Sequence, residues 1–264
     1  MAELTIVHPP ETAFGEEIEI PAAVRTIAAG RPLTPVWRNV VGGLTYRIGS
    51  EYFVKFAPAS TDLPLAQEAE RLRWAARYVR VPEVVASGSD ETGVWLQTRA
   101  INGWSAVDGR WRPDPATAVT AIAEGLRELH TRVPVEECPF DWSVERRLAK
   151  SPRDLGDAHP QHRDLDIDVA WERATSPPPI DRLVVCHGDA CAPNTLLGED
   201  GRYLAHVDLA ALGVADRWAD LAIGSWSLSW NFGAGWEDLF FRAYGIDPDP
   251  ERIAYYRLLW DLGS

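Results

Sequence analysis

Hydrophobic and polar positions over residues 36–56 fall into short runs that are typical of β-strands. Three runs rich in β-branched and aromatic residues, VWRNVV, LTYRI and YFVKF, are separated first by Gly42 and Gly43 and then by Gly49 and Ser50. Such small residues favour tight turns between strands. The pattern therefore predicts three strands of an antiparallel sheet.

A helical period follows these predicted strands. Apolar residues recur at steps of four, three, four and three, at Leu65, Ala69, Leu72, Ala76 and Val79. This spacing places them on one face of an amphipathic helix, with Glu68 at the edge of that face. Residues 94–97 predict a further strand, which Asn102 and Gly103 bring to an end.

Beyond Gly103 the pattern is helical. A predicted helix that ends near His130 carries four apolar residues on one face: Val119, Ile122, Leu126 and Leu129. Residues 151–179 are polar and rich in Asp, and residues 216–262 are predicted to be helical. We therefore predict an α+β fold of two lobes, with a small antiparallel-sheet lobe over residues 1–100 and a larger helical lobe over residues 101–264.

The composition of the chain limits the kinds of molecule that it is expected to bind. The chain has 264 residues, 46% of them hydrophobic, and 26 basic against 39 acidic residues give a net charge of −13. Such a charge repels nucleic acid and anionic membranes and attracts cations, so we expect a small cationic molecule as partner, and neither nucleic acid nor a membrane. An acidic surface that serves solubility alone would give the same composition.

The cysteines and the first 30 residues predict a cytoplasmic protein. Cys138, Cys186 and Cys191 have no metal-ligand spacing, and their odd number argues against a disulfide framework. The first 30 residues contain several glutamates instead of a basic start and an apolar core, and no stretch reaches eighteen apolar residues. We expect neither a signal peptide nor a membrane span.

The segment CHGDACAPN, residues 186–194, carries the strongest chemical signal. It follows a short apolar run and places Asp189 five positions before Asn194. Phosphoryl transfer from ATP needs an Asp that acts as base for a hydroxyl, together with side chains that hold magnesium. Asp208 follows the strand-like residues 203–207, so a turn between two short strands would bring it to Asn194 as a second metal ligand. The chain therefore reads as a kinase.

Two residues near this segment are predicted to support it. His187 can brace Asp189, a structural role that we favour over catalysis, and Gly188 lets the loop turn tightly. Asp220 stands at the beginning of an apolar helix, where it would cap the helix or hold the catalytic loop by accepting backbone donors. A charge pair at an exposed helix start, with Arg217, is the alternative.

Lys55 lies in an apolar strand, where its charge needs a partner. Glu68 on the next helix can supply it, and a Lys held in this way would bind the α and β phosphates of ATP. The alternative is a Lys on an edge strand that faces solvent. Gly42, Gly43 and Thr45 either form a loop whose backbone approaches phosphates or an ordinary hairpin turn.

The tryptophans leave two interpretations open. The chain has twelve, among them Trp226, Trp230, Trp236 and Trp260. They either line the substrate site or fill the helical core, and we favour the core because each indole buries a large apolar area.

These motifs resemble those of the aminoglycoside phosphotransferases, antibiotic-resistance kinases with a protein-kinase-like fold of two lobes. HGDACAPN and HVDLAALGVADRWADLA are similar to the catalytic and metal-binding segments of that family, and the similarity continues in FVKFAP, QEAERLRW, LRELH, ECPF and FRAYGIDPDPERIAYYRLLWDL. It covers most of the chain from about residue 36. It is nearest to the branch that phosphorylates the 3′ hydroxyl of kanamycin-type and neomycin-type antibiotics, with the streptomycin 3″-kinases as neighbours.

The resemblance implies roles for individual residues. Lys55 and Glu68 would position ATP, Asp189 would be the catalytic base, and Asn194 with Asp208 would hold Mg²⁺. The backbone of Thr98, Arg99 and Ile101 would form the hinge that meets adenine. Acidic side chains would contact the substrate, and the candidates are Asp164, Asp166, Asp168, Glu237, Asp238 and Asp261. Each of these acids is alternatively part of a solvated surface.

The chain departs from its relatives beside the metal site. Ala210 and Ala211 stand where the family usually has Gly and Arg, and Ala190 stands where Leu is common. The change at Ala211 removes a cation from beside the phosphate and antibiotic sites. The residues expected to carry out phosphoryl transfer are unaffected by this change, whereas the identity of the acceptor molecule is left open.

Three hypotheses follow. The first is an ATP- and Mg²⁺-dependent kinase, a monomer or weak dimer, that phosphorylates an aminoglycoside hydroxyl, the 3′-OH by resemblance, and confers resistance. The second is a kinase of the same fold acting on a different antibiotic or small metabolite. The third is a non-catalytic pseudokinase, whose signature would be the loss of Lys55, Asp189, Asn194 or Asp208. All four residues are present.

Overall fold

The computed structural model describes residues 19–39, 42–156 and 158–263, and the chain divides into two compact units. The first ends at Asn102 and the second begins at Gly103. Within the described residues, none of the helices combines the length and the apolar character needed to span a membrane.

The first unit is an antiparallel sheet with two helices. Its elements are α1 (Ala22–Ala28), β1 (Leu33–Arg38), β2 (Leu44–Ile48), β3 (Tyr52–Pro58), α2 (Leu65–Ala75), β4 (Val84–Asp90) and β5 (Gly93–Arg99). The strand order is β1-β2-β3-β5-β4, so β3 is central. Strands β2 and β3 contribute Tyr46, Ile48, Val54 and Phe56 to the core, where they pack with Val24 of α1.

The three strands predicted over residues 36–56 are present, with differences at the edges. β1 begins at Leu33 and ends at Arg38, and the predicted run continues into Val40 and Val41, which lie outside the described residues. The strand predicted over residues 94–97 is β5. Strand β4 was missed because it is an edge strand with a mostly exposed and polar sequence, VVASGSD, which gives no hydrophobic signal.

The helix predicted from residue 65 is shorter than expected. α2 ends at Ala75, so Ala76 and Val79 lie beyond it, and Ala75 is buried where Ala76 was expected to be. The physical reason is a tightening of the chain after the helix, where Arg77 N bonds to Trp74 O and Tyr78 N bonds to Ala75 O, each three residues back. The helix therefore ends before Ala76, which is exposed, while Val79 is buried beyond the helix as its apolar character predicts.

The second unit is mostly helical. Its elements are β6 (Trp104–Ser105), α3 (Pro115–Arg132), α4 (Val144–Leu148), α5 (Ile167–Ala174), β7 (Leu183–Cys186), β8 (Thr195–Leu197), β9 (Tyr203–His206), β10 (Gly213–Asp216), α6 (Trp218–Phe232), α7 (Glu237–Tyr244) and α8 (Pro250–Asp261). The apolar stripe predicted for α3 is buried in the core of this unit. An α+β fold with an antiparallel-sheet unit and a helical unit is therefore confirmed.

Two small sheets of the second unit position the segment that is predicted to be catalytic. β7 pairs with β10, and β8 lies between β6 and β9. Residues 187–194 run from the end of β7 to the start of β8, so both of their ends are fixed by a sheet. The segment 207–212 connects β9 to β10 in the same way.

Candidate active site

Gly188 brings the catalytic loop, residues 187–194, into contact with the segment 207–212. Its φ of +83° is a left-handed conformation, and a Cβ built at this position would lie 2.2 Å from Ala211 O. Glycine alone has neither the conformational penalty nor the clash. The sequence HGD therefore allows the loop to turn directly in front of Asp189.

The backbone around Asp189 is held by two side chains of its own loop. Asp189 N donates to His187 Nδ1 at 3.3 Å, and Asn194 Nδ2 donates to Asp189 O at 2.9 Å. Asp189 Oδ1 itself is buried and has no hydrogen-bond partner among the described residues. A buried carboxylate oxygen without a partner is costly, and the hydroxyl of an acceptor would satisfy it.

The hairpin predicted between Asn194 and Asp208 is present. β8 and β9 pair antiparallel, and Val207 N donates to Asn194 O at 3.0 Å, so Asn194 and Asp208 flank the same end of the hairpin. Asp208 has a φ of +61°, a left-handed conformation that Asp tolerates better than most residues. Because the Asn194 amide nitrogen is bonded to Asp189 O, the amide oxygen is the atom of this side chain that could bind a metal ion. An amide oxygen and a carboxylate are ligands that Mg²⁺ prefers.

Asp220 fastens the catalytic loop to α6. Its Oδ2 accepts from His187 N at 2.6 Å and its Oδ1 accepts from Gly188 N at 2.9 Å. The residue is fully buried. This is the geometry of a residue that holds the loop through backbone donors, one of the two roles that the sequence suggested for it, whereas the alternative exposed pair with Arg217 is not formed, since Arg217 binds Asp181.

His130 of α3 also contacts Asp220, a role that the sequence pattern did not predict. Its Nε2 lies 2.9 Å from Asp220 Oδ2, and its Nδ1 lies 2.9 Å from the hydroxyl of Tyr244 in α7. Burial alone would raise the pKa of Asp220, but the hydrogen bond and charge of His130, the charge of His187 and the Gly188 amide outweigh it, so the pKa is lowered. The signal that could have found His130 is a buried His on the apolar face of a helix, because such a side chain needs a polar partner.

His187 is buried and links the catalytic loop to the segment after β9. Its Nε2 lies 2.9 Å from Val207 O, and its Nδ1 faces the amide of Asp189. Because the Val207 carbonyl can only accept, Nε2 carries a proton in this contact. In this arrangement His187 braces the loop and has no free nitrogen for proton transfer.

In the first unit, Lys55 and Glu68 form an ion pair. Lys55 Nζ lies 2.7 Å from Glu68 Oε1, and the Glu68 side chain is 5% exposed. Lys55 lies on β3, the central strand, so an edge-strand position is excluded. Thr45 of β2 is its partner in the strand register, which puts the two side chains on the same face of the sheet.

The Gly42–Gly43 turn is closed by Asn39. Gly43 N donates to Asn39 Oδ1 at 2.6 Å, and Gly42 N donates to Asn39 O at 3.1 Å. Both glycine amides are thus used within the turn. A role in phosphate binding would require the Asn39 side chain to move.

The predicted adenine hinge continues strand β5. Thr98 and Arg99 are its last residues, and Ile101 lies two positions beyond them. Arg99 N donates to Glu83 O at 2.9 Å and Ala100 N donates to Glu51 O at 2.7 Å. Two backbone amides of this segment are therefore already paired within the first unit.

Four of the six candidate substrate acids have partners within the second unit. Asp166 caps α5, Asp168 pairs with Arg153, Glu237 pairs with Arg257, and Asp261 pairs with His162. Asp164 and Asp238 are exposed. The six acids lie on α5, α7, α8 and the segment before α5.

The tryptophans of the second unit pack in two hydrophobic clusters. Trp218 is 2% exposed in the main core, and Trp236 packs against that core. Trp226 lies in a smaller buried cluster with Cys191, two positions after Asp189, and Trp230 and Trp260 pack against it. The three cysteines are free thiols, as expected.

The fold and this site define a phosphotransferase. Residues 33–256 match the family model described as "Phosphotransferase enzyme family". The chain belongs to this family, and the resemblance to aminoglycoside phosphotransferases is confirmed.

Individual relatives and solved structures that resemble this chain are also aminoglycoside phosphotransferases. An aminoglycoside 3′-phosphotransferase from Streptomyces ribosidificus is 37% identical over 83% of this chain and 90% of the relative, and one from Streptomyces fradiae is 35% identical over 79% and 84%. The crystal structure of an aminoglycoside-3′-phosphotransferase of type VIII matches 91% of this chain and 97% of its own, with a TM-score of 0.76 and 31% identity. The 3″ enzyme APH(3″)-Id from Streptomyces rimosus, in complex with ADP and streptomycin, matches 90% and 95%, with a TM-score of 0.70 and 25% identity.

Proposed function

We propose that this protein is an ATP- and Mg²⁺-dependent phosphotransferase that phosphorylates a hydroxyl of an aminoglycoside, the 3′-OH, and so confers resistance to the antibiotic in the cytoplasm. The observation that carries the proposal is Asp189, whose buried carboxylate oxygen Oδ1 finds no partner among residues 19–39, 42–156 and 158–263, in a loop fixed by Asp220 and Asn194. The relatives named above support the choice of acceptor.

In this proposal several residues of the chain contribute to a single displacement reaction at the γ-phosphorus of ATP. Asp189 accepts the proton of the attacking hydroxyl, whose oxygen forms a bond to the γ-phosphorus of ATP while the bond from that phosphorus to the β–γ bridging oxygen breaks and ADP leaves. Lys55, oriented by Glu68, binds the α and β phosphates. Asn194 and Asp208 are the residues that would hold Mg²⁺, which offsets phosphate charge when bound.

The two units take different parts in this proposal. The unit that ends at Asn102 would bind the nucleotide, with the Gly42–Gly43 turn and Thr45 near the phosphates and the segment from Thr98 to Ile101 near adenine. The unit that begins at Gly103 would supply the base, the metal ligands and the acceptor site. We expect the protein to act as a monomer or weak dimer.

A second candidate is a kinase of the same fold that acts on a different antibiotic or small metabolite. The observation that favours it is Ala211, whose carbonyl lies against Gly188 and which brings no cation to this side of the loop. The acceptor then differs, while the roles of Asp189, Asn194 and Asp208 stay the same.

The test is ADP release by purified protein with Mg²⁺ and ATP, across kanamycin, neomycin, streptomycin, hygromycin and unrelated nucleoside and peptide antibiotics. Asp189→Ala is the inactive control, and Asp247→Ala is the matched control at an exposed Asp. Turnover with an aminoglycoside, lost in Asp189→Ala and kept in Asp247→Ala, supports the proposal. Turnover with an unrelated antibiotic alone favours the second candidate, and release that persists in Asp189→Ala contradicts both.

A further inference from the structure

The face of α6 that meets the catalytic loop is aromatic. Cys191, Ile223 and Trp226 form a small buried cluster, and Trp230 and Trp260 pack against it half-buried. On the same face, Ser227 Oγ accepts from Ala192 N at 2.8 Å. Because Cys191 and Ala192 follow Asp189 by two and three positions, this aromatic cluster adjoins the catalytic base.

Of the two neighbouring indoles Trp226 and Trp230, the ring of Trp230 is the less enclosed and could contact a bound molecule. The centroid of Trp226 lies 5.2 Å from that of Trp230 and 4.6 Å from that of His159, and the guanidinium of Arg257 stands 5.3 Å from it. Trp226 is thus enclosed and only 4% exposed. Trp230 is less enclosed, since its own contacts are Trp226 on one side and His159 at 6.4 Å.

Two polar atoms at this end of α6 are buried and have no hydrogen-bond partner in the part of the chain that the structure describes. They are the indole Nε1 of Trp230, a donor, and the amide oxygen Oδ1 of Asn231, an acceptor. The Asn231 amide is oriented by its own nitrogen, which donates to Ser227 O at 2.8 Å. A buried donor and a buried acceptor without partners are unfavourable, and a bound molecule with hydroxyl groups would satisfy both.

The nearby carboxylates Glu237 and Asp261 already have basic partners within the chain. Glu237 Oε1 lies 2.8 Å from Arg257, and Asp261 Oδ2 lies 2.6 Å from His162. A carboxylate engaged in this way contributes little to an incoming ammonium group unless its partner is displaced. This part of the site therefore offers an aromatic face and neutral hydrogen-bonding groups in place of free negative charge.

We propose that the protein holds its acceptor by stacking one sugar or cyclitol ring on the face of the Trp230 indole, while Nε1 donates in the indole plane to a hydroxyl of an adjacent ring and Asn231 Oδ1 accepts from another hydroxyl. The inference rests on the proposed function and specifies its substrate class, namely acceptors selected by a ring face and by hydroxyl groups more than by their number of ammonium groups. Trp230 and Asn231 are then specificity-determining residues of the acceptor site.

The experiment compares steady-state kinetics of Trp230→Ala and Trp230→Phe with Trp236→Phe, each with the best aminoglycoside of the panel. Trp236 is the matched control because it also packs half-buried, against the main core, and its Nε1 is already bonded to Phe232 O. We expect KM for the acceptor to rise by about tenfold to a hundredfold in Trp230→Ala, since a stacking surface and a hydrogen bond are lost together. Trp230→Phe should lie between it and the wild type, and KM for ATP should stay within about twofold in all three.

A second arm measures the acceptor KM of the wild type at low and high salt. Stacking and neutral hydrogen bonds are weakly screened, so we expect a change of less than about threefold, whereas binding by exposed carboxylates would weaken much more. An unchanged acceptor KM in Trp230→Ala, or a steep salt dependence, overturns this inference and leaves the proposed function standing. Absence of turnover with every aminoglycoside in the wild type overturns the proposed function, and the inference with it.

Discussion

Replacement of Asp220 by Ala tests whether the catalytic loop is held by this one carboxylate. Three buried donors lose their acceptor in the variant, namely the amides of His187 and Gly188 and the imidazole of His130. Each unsatisfied buried donor costs about 1–3 kcal/mol, so three of them cost about 3–9 kcal/mol, and relaxation of the loop towards water keeps the loss near the lower end. We expect the free energy of unfolding to fall by about 4 kcal/mol, a large share of the total stability of a typical protein.

The assay is urea unfolding at pH 7, followed by kcat under conditions where the variant is folded. Asp220→Asn keeps one carbonyl oxygen as acceptor, so its loss should be about half as large. Asp238→Ala is the matched control, because Asp238 is exposed in the first turn of α7 and its loss should change stability by less than about 0.5 kcal/mol. A change in Asp220→Ala within about 1 kcal/mol of this control, or an unchanged kcat in the folded variant, would refute the reasoning.

Three further predictions concern the loop, the ion pair and acid stability. Gly188→Ala should lower kcat by at least about a hundredfold, because a Cβ would collide with Ala211 O, and a kcat near that of the wild type would contradict the loop geometry. Lys55→Met should raise KM for ATP and lower kcat/KM by about a hundredfold, whereas an unchanged ATP dependence would exclude a phosphate-binding role. Burial, followed by the charge of His187, lowers the pKa of His206 from its ordinary 6.5 to about 3, so the unfolded chain binds the extra proton and stability falls as pH drops from about 6.5 towards 3. In the variant His206→Asn, the free energy of unfolding should depend less on pH between about 6.5 and 3, by up to about 1.4 kcal/mol per pH unit. Thermal unfolding across this range measures the change. An unchanged pH dependence would contradict the lowered pKa of His206.

Local sequence patterns predict the elements that bury one regular face. The period of α3 and the alternation in β2 and β3 are strong signals, because each element packs one side against a core. Strand β4 has no such signal, since an edge strand with exposed polar residues has little apolar area to bury. The end of α2 was misplaced because the tightened turn at residues 76–78 depends on local hydrogen bonds and not on the apolar period.

Some residues of the candidate site can likewise be predicted from local sequence patterns, and others cannot. The motif spacing suggests Asp189, Asn194 and Asp208, because these residues lie on one hairpin and the loop beside it. The contribution of His130 depends on an approach to Asp220 across 90 positions of sequence, which no local pattern encodes. Trp230 and Asn231 become notable only when their unpaired polar atoms are seen beside the catalytic loop. The pairing of Glu237 and Asp261 with basic partners is equally invisible in the sequence.

The central claim is that Asp189 enables transfer of phosphate from ATP to one aminoglycoside hydroxyl. The most direct measurement is mass spectrometry and NMR of kanamycin after incubation with the enzyme, Mg²⁺ and ATP, beside an Asp189→Asn variant that still binds ATP. The account predicts the gain of one phosphate at the 3′ position with the wild type, and a rate reduced by at least about a hundredfold in Asp189→Asn. A phosphate at a different hydroxyl would contradict the assignment of the acceptor position, and equal product from the variant would contradict the role of Asp189.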